Sequence, residues 1–267
     1  FLLVVLIGTL YPVFLDTLIN KQISVGPPYY NFILAPFLIP LLFLMTSGPR
    51  YKWISSEYKK TVNIILFLSV LIFLIVLFIT KENNLLLNLI LLFSIYLITQ
   101  TVFDFYENFK NNKINFSRII SHLGFGFLIF FISINGIFSV ENSFNARVGE
   151  KQNFENYIIE FKNVETLSSK NYESVVGHFE ISNKKKAIKE KLKPEIRLYN
   201  QPKTITYEAS IKTGFFSDTY LTMSNISNSD IFNIKFQKKP FMNFIWLSVL
   251  VIAFGGILSF FNRKKKI

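Results

Sequence analysis

Residues 62–79 read VNIILFLSVLIFLIVLFI and contain no charged side chain. At 1.5 Å per residue, a helix of this length nearly matches the hydrocarbon core of a bilayer, which is roughly 30 Å thick. An uncharged apolar run of about this length is typical of a transmembrane helix. The stretch therefore predicts that the protein spans a membrane.

Further apolar runs recur on both sides of this stretch. The 267-residue chain is 51% hydrophobic and has 31 phenylalanines, more apolar surface than the core of a soluble domain of this size needs. Because the chain starts at Phe1 with neither Met nor a charged region before the first run, we interpret the first span as clipped. The prediction is a polytopic α-helical membrane protein with about six spans, at residues 1–15, 29–47, 62–79, 85–105, 117–140 and 241–262.

The net charge of +12 lies mainly in the loops on one predicted side of the membrane. That side carries ten Lys and Arg residues: Arg50, Lys52, Lys59, Lys60, Lys110, Lys113, Arg263, Lys264, Lys265 and Lys266. The opposite short loops carry two, Lys21 and Lys81. Since cytoplasmic loops are enriched in Lys and Arg, this asymmetry predicts a cytoplasmic C-terminus. It also explains the basic charge without a nucleic-acid partner.

Residues 141–240 have a different pattern and are predicted to lie outside the cytoplasm. Alternating apolar and polar residues predict about six short strands, in NYIIEFKNV, VVGHFEIS, EIRLYN, KTITYEASIK, TYLTM and IFNIKF. The basic stretch NKKKAIKEKLKP is interpreted as a solvated turn. The predicted organisation is a bundle of five spans over 1–140, a small all-β domain over 141–240, and a final span with a basic tail over 241–267.

Several chemistries can be excluded within this sequence. It has no cysteine, so it contains no disulfide, thiolate nucleophile or Cys-ligated metal. It also has no GxGxxG, GxxxxGK[ST], HExxH or GxSxG motif and no repeat with a period of 20–50 residues.

His122 lies in the apolar segment SRIISHLGFGFL, at residues 117–128. An ionisable group inside a span is costly, so it normally faces the interior and has a partner. Gly126 lies one turn beyond His122, and with Gly124 it would give a flat surface for a planar ligand. Arg118, one turn before, could meet an anionic group. These residues alone leave three interpretations open, namely an axial haem ligand, a packing histidine and a proton relay.

Other ionisable residues receive no site assignment. His178, the second of the two histidines, is predicted to be a surface or half-buried residue of a strand. Asp16 and Asp104 lie near the predicted ends of spans and are interpreted as interfacial residues.

Several stretches, in order along the chain, resemble a known family. They are GTLYPVFLD, ISVGPPYYN, SHLGFGFL, LKPEIRLYNQPKTITYEASI, TGFFSDTYLTM and KPFMNFIWLSVLVIAFGGILSFFNRK. Together they resemble the C-terminal half of CcmF, the membrane haem lyase subunit of the system I pathway for c-type cytochrome maturation. The resemblance runs from end to end of the chain.

The resemblance implies a multi-pass protein of the bacterial inner membrane with a periplasmic β domain. Haem brought by a periplasmic chaperone would be joined to the Cys-x-x-Cys-His motif of apocytochrome c, the substrate supplying both thiols. His122 matches the histidine of the family's HLG motif, an axial ligand of a b-type haem, and Arg118, Gly124 and Gly126 become candidate haem contacts. The second axial ligand, the family's WWD segment and its flanking histidines have no match in this chain and would lie in an upstream half.

The chain is therefore predicted to be part of a haem lyase. Its predicted partners are apocytochrome c, the periplasmic haem chaperone, other maturation subunits, the upstream half of the same protein and membrane lipid. The alternative is a non-catalytic scaffold whose β domain docks the apocytochrome or the haem chaperone. A solute transporter would fit the spans but not a β insertion of about a hundred residues.

Overall fold

The computed structural model describes residues 2–19, 26–48, 60–81, 84–110, 115–184, 189–225 and 230–264. The chain divides into two compact units, Phe1–Ser133 with Phe244–Ile267, and Ile134–Asn243. The described residues form six helices: α1 Leu2–Ile19, α2 Pro27–Ser47, α3 Lys60–Thr80, α4 Leu85–Lys110, α5 Phe116–Phe138 and α6 Met242–Lys264. These bounds lie within a few residues of the predicted spans, except that α4 continues to Lys110.

The first unit has the surface of a membrane protein. Phe67 and Phe78 of α3 are 67% and 82% exposed, which in water would leave large apolar areas uncovered. Five helices, all except α2, are long and apolar enough to cross a membrane, and the Pro36–Ser47 part of α2 is a shorter apolar helix. This confirms the predicted class, a multi-pass protein with apolar helices and one β-rich unit before the last helix.

Packing inside this unit combines apolar side chains with short polar contacts. The α4 helix packs against α2 and α3, and α1 packs against α2. Leu42, Leu97 and Ile129 form a buried cluster from α2, α4 and α5. Between α3 and α4, the hydroxyls of Ser69 and Thr99 lie 2.6 Å apart and hydrogen-bond. Such a bond suits an apolar setting because it satisfies both hydroxyl groups away from water.

The second unit is a sandwich of two antiparallel sheets. One sheet has the order β1-β10-β9-β8, and the other has the order β2-β3-β4-β6-β7, with β5 paired to β4. The strands are β1 Val140–Ala146, β2 Lys151–Phe154, β3 Tyr157–Ser168, β4 Tyr172–Asn183, β5 Lys189–Leu192, β6 Glu195–Tyr199, β7 Thr204–Glu208, β8 Ser210–Lys212, β9 Ser217–Asn225 and β10 Phe232–Pro240.

The core of the sandwich is formed by side chains from the inner faces of both sheets. Phe161 and Phe179 stack with ring centroids 4.3 Å apart, and Phe232 of the opposite sheet meets Phe161 edge to face at 5.5 Å. Phe236 and Leu221 are fully buried in the same cluster. These residues belong to the alternating segments that predicted strands, so the alternation correctly marked the inward face.

Ten described strands replace the six that were predicted. The segment KTITYEASIK is two strands, β7 and β8, because the chain passes from one sheet to the other at Ala209. The interpretation of NKKKAIKEKLKP as a solvated turn is wrong for Lys189–Leu192, which pair with β4 as β5 and bury Leu192. Residues 185–188 of that stretch lie outside the described residues. The short strand forms because Leu192 completes the sandwich core beside Phe179.

Candidate functional site

His122 lies in the second turn of α5 and is partly buried. Among the described residues, neither of its ring nitrogens has a hydrogen-bond partner. Two charged groups act on it electrostatically, Arg118 from its own helix and Asp104 from α4. A partly buried imidazole without a hydrogen bond, inside an apolar helix, has a nitrogen lone pair available to a ligand or metal.

Gly124 and Gly126 are the points at which α5 meets its neighbours. A Cβ on Gly124 would lie 2.9 Å from the backbone nitrogen of Ile252 in α6. A Cβ on Gly126 would lie 2.7 Å from Cγ1 of Ile98 in α4. Both glycines therefore allow close helix packing, the role that small residues commonly have between membrane helices. Their predicted contact with haem stays a prediction, and the structure adds that protein atoms already lie beside both.

A polar pair on α4 was missed as a site feature. Gln100 is 2% exposed and donates through Nε2 to Oδ1 of Asp104 at 3.1 Å, while Asp104 is 9% exposed. Asp104 is thus buried within the bundle, six residues before the end of α4, and its interpretation as an interfacial residue stays a prediction. The signal that could have identified the pair is the i,i+4 spacing of two polar residues in the apolar segment ITQTVFDF.

The oxygen of Gln100 distinguishes this pair from an ordinary packing contact. The Oε1 atom is buried and has no hydrogen-bond partner among the described residues. A buried amide oxygen without a partner is costly, so such atoms concentrate where a water, ion or ligand completes the site. Since α4 also carries Asp104, which acts on His122, the buried polar face of α4 belongs to the same candidate site.

The described residues do not form a complete metal centre by themselves. They contain no group of three or more His, Cys, Asp or Glu side chains that could hold a metal ion. His122 can contribute one nitrogen, which fits a haem whose iron needs only axial ligands from protein. The structure thus fits haem binding by a single ligand from this chain, with Arg118 on the same face for an anionic group.

The β sandwich has a pocket of about 310 Å³. On one wall, Thr219 Oγ1 donates to Glu190 Oε2 at 2.8 Å, and Lys238 Nζ donates to Thr219 at 2.6 Å. Burial raises the pKa of Tyr157, another lining residue, and the nearby carboxylate of Glu190 adds to this rise. The negative charge of Glu190 and the positive charge of Lys238 cancel, so this wall of the pocket is polar but has no net charge.

His178 lies on β4 and forms a cross-strand pair. Its Nε2 is 3.1 Å from Oε2 of Glu165, and the two side chains are 24% and 53% exposed. This is the half-buried strand position predicted from the sequence. Its polar contact is accounted for by Glu165, and no described feature links it to the residues around His122.

Comparisons with known proteins bear on both units. Residues 137–240 match the family model described as the CcmF C-terminal beta-sandwich. The chain is 25% identical over 276 residues to a cytochrome c-type biogenesis protein CcmF of Pseudomonas fluorescens, and 25% identical over 271 residues to that of Escherichia coli K12. Each alignment covers 98% of this chain and 42% of the relative, so the chain spans about two fifths of their length.

A solved structure titled "Cytochrome c Heme Lyase CcmF" has the same fold. It superposes with a TM-score of 0.68 at 17% sequence identity, over 96% of this chain and 42% of that one. The family model covers the β-rich unit, and the relatives and the solved structure cover nearly the whole chain. In its sequence and its fold, this chain matches the C-terminal half of CcmF, with residues 137–240 as the β-sandwich of that half.

Proposed function

We propose that this chain is part of the haem lyase for cytochrome c maturation and that His122 is an axial ligand of a transmembrane b-type haem. The observation that carries the proposal is the partly buried imidazole on α5, which has no hydrogen-bond partner among the described residues. The second axial ligand lies outside this chain, in the upstream half. Replacement of His122 by alanine, with the haem spectrum as the measurement, tests the assignment.

The residues around His122 have separate roles in this proposal. The imidazole donates a nitrogen lone pair to the iron, and Arg118, one turn away on the same face, pairs with a propionate. Gly124 and Gly126 fix α5 against α6 and α4 through the close approaches to Ile252 and Ile98, and direct contact with haem is proposed in addition. When bound, the haem supplies one-electron redox chemistry that keeps the substrate iron reduced.

The partners follow from the reaction proposed for the whole protein. The thiols that join the haem vinyl groups belong to the Cys-x-x-Cys-His motif of apocytochrome c, and this chain has no cysteine of its own. A periplasmic haem chaperone delivers the haem, and other maturation subunits and the upstream half complete the enzyme. We propose that the fragment alone is inactive, because it supplies one haem ligand and no described catalytic group.

A second candidate function, a scaffold that docks the apocytochrome, is favoured by the edge strand β7. Its outer side chains Ile205 and Tyr207 are 58% and 53% exposed, while the alternate residues Thr206 and Glu208 are partly buried. This reverses the usual pattern of apolar residues inside. In the described structure β7 pairs only with β6, so its other edge has backbone groups to which an extended polypeptide can add as a strand.

Replacing Ile205 and Tyr207 with lysine should weaken binding of an apocytochrome peptide by about tenfold or more, since charges at both positions remove the apolar contact. Binding would be measured by fluorescence anisotropy of a labelled peptide that contains Cys-x-x-Cys-His. Leu167→Lys is the matched control, because Leu167 is also an exposed apolar residue of the sandwich, at 45%. Equal affinities for the wild type and the double variant would reject docking at β7 while leaving the haem assignment intact.

We also propose that the C-terminus is cytoplasmic and the sandwich periplasmic, in the bacterial inner membrane. The support is the ten-to-two loop charge asymmetry. Because the chain has no native cysteine, single cysteines are clean reporters. A cysteine at exposed Lys212 of β8 should react with an impermeant thiol reagent in intact spheroplasts, whereas one at exposed Lys110 of α4 should react only after lysis. The reverse pattern would contradict the orientation.

A further inference from the structure

The loop of residues 213–216, between β8 and β9, carries two adjacent aromatic side chains that are largely exposed. Phe215 and Phe216 are 70% and 63% exposed, more than any other large apolar side chain described in the unit Ile134–Asn243. Their rings meet edge to face with centroids 4.8 Å apart. Such an exposed pair is costly in water and marks a surface that contacts another apolar phase.

Hydrogen bonds hold this loop to the beginning of α6. The backbone N–H of Phe241 donates to the carbonyl oxygen of Phe216 at 2.7 Å. The Asn243 side chain, in the first turn of α6, donates through Nδ2 to the carbonyl oxygen of Gly214 at 2.8 Å. Phe241 has a φ of 60°, the left-handed conformation that non-glycine residues rarely adopt, so the surrounding contacts define this turn closely.

Contacts with β9, the strand that follows the loop, also hold it in place. The backbone N–H of Gly214 donates to Oδ1 of Asp218 at 3.1 Å, and Asp218 is buried. Ser217 pairs with Pro240 at the last position of the β9–β10 ladder. The loop is therefore a fixed part of the sandwich, at the end where the chain leaves β10 and enters α6.

The helix that begins at this point is apolar from its first turns. Its segment Met242–Phe261 is long and apolar enough to cross a membrane. Trp246 and Leu250 in its first turns are 64% and 66% exposed, as expected for residues that face lipid or the aromatic belt. Since Asn243 is the second residue of α6, its hydrogen bond places the carbonyl group of Gly214 beside the first turn of this apolar helix.

We propose that Phe215 and Phe216 insert into the lipid leaflet and anchor the sandwich on the membrane surface. The occupant is phospholipid, because the loop is hydrogen-bonded to the start of a helix long and apolar enough to cross a membrane, and lysines lie close to it in the chain and in the sheet. Lys212 is exposed two residues before Gly214, and Lys239, in the strand paired with β9, has its ammonium 5.1 Å from the centroid of the Tyr220 ring. Lysines close to an exposed aromatic pair match a layer of lipid phosphates above acyl chains.

The anchor would fix the distance of the sandwich from the bilayer independently of haem binding. Two helices already connect the sandwich to the membrane, through Phe138 at the end of α5 and Met242 at the start of α6. A third attachment, through Phe215 and Phe216, would restrict tilting about these two connections. The inference is independent of the proposed lyase function and concerns only where the loop lies.

Site-directed spin labelling of the full chain in liposomes tests this directly. Phe215→Cys and Leu167→Cys would each be labelled with a nitroxide in the cysteine-free chain, in vesicles of phosphatidylcholine and phosphatidylglycerol. Leu167 is the control, because it is also apolar and 45% exposed. It lies far from the loop: Tyr157, at the start of β3, lines the same pocket as the loop, and Leu167 is ten residues further along β3, about 33 Å from Tyr157 in an extended strand. Power saturation then compares accessibility to oxygen, which partitions into lipid, with accessibility to a polar nickel chelate.

The label at residue 215 should be at least about threefold more accessible to oxygen relative to the chelate than the label at residue 167. A label at 215 that the chelate reaches as readily as the control would overturn the anchor. A label at residue 215 that neither oxygen nor the chelate reaches would also overturn the anchor, because such shielding indicates burial against protein. Phe216→Trp provides a second measurement, in a background with Trp53→Phe and Trp246→Phe, because its fluorescence should be quenched by lipids brominated near the headgroup; unquenched fluorescence would overturn the anchor.

Discussion

Under the proposed ligand assignment, His122→Ala is expected to remove the b-haem absorbance of the chain reconstituted with the proposed upstream half. The variant loses the only imidazole described in the membrane helices, and an apolar methyl group cannot replace a nitrogen ligand. Cytochrome c maturation should fall by about tenfold or more, because even the loss of an outer partner of a metal ligand commonly costs 10- to 100-fold. The measurements are the reduced-minus-oxidised spectrum of the purified complex and the yield of covalent cytochrome c.

The matched control is His178→Ala, which removes the other histidine of the chain. His178 pairs with Glu165 on an exposed part of β3 and β4, and such surface pairs contribute about 0–1 kcal/mol. Haem content and maturation should therefore stay near wild type. His122→Cys is expected to keep some haem with a shifted spectrum, since thiolate is also an axial ligand. Normal haem content in His122→Ala, with normal accumulation in the membrane, would refute the ligand assignment.

Gly255→Ala is expected to destabilise the helical unit by about 1–3 kcal/mol, the usual cost of overpacking a close contact. A Cβ at Gly255 would lie 2.8 Å from the backbone nitrogen of Ser121 and 3.1 Å from the carbonyl oxygen of Ser117. Both atoms belong to the backbone of α5, so they cannot rotate away, and α6 must shift. The apparent melting temperature in detergent should fall by roughly 2–10 °C.

The neighbouring residue gives the control for this substitution. At Gly256, no heavy atom among the described residues lies within 4 Å of an added Cβ. Gly256→Ala should therefore leave stability unchanged or raise it slightly, by up to about 1 kcal/mol, because alanine has the higher helix propensity. Equal melting temperatures for the two variants would show that α5 and α6 do not pack through Gly255.

The helices were predictable because a membrane span is a local property of the sequence. An apolar run must be helical in lipid, where every backbone polar group needs an internal partner, so VNIILFLSVLIFLIVLFI predicted α3 before any contact was known. The extension of α4 to Lys110 was missed because the run turns polar at Asp104. That carboxylate pairs with Gln100 inside the bundle, so polarity did not mark the end of the helix.

The strands were predictable only where one face is clearly apolar. Alternation identified β3, β4, β6, β9 and β10, whose inward residues build the sandwich core. The segments VENSFNA, KQNF and KEKL are too polar to show such a pattern, and they became β1, β2 and β5. Pairing defines them as strands: β1 pairs with β10 at the other end of the unit, and β2 and β5 pair with the neighbouring strands β3 and β4.

The sequence by itself determined the membrane spans, the inserted β unit and the one imidazole among the apolar helices, because lipid selects for composition along the chain. Only the tertiary structure decided what each helix face meets. It placed Gly124 against Ile252, Gly126 against Ile98 and Asp104 within electrostatic reach of His122. The periodicity of a helix gives the residues that share a face, but the neighbour that covers the face depends on packing between segments far apart in the chain.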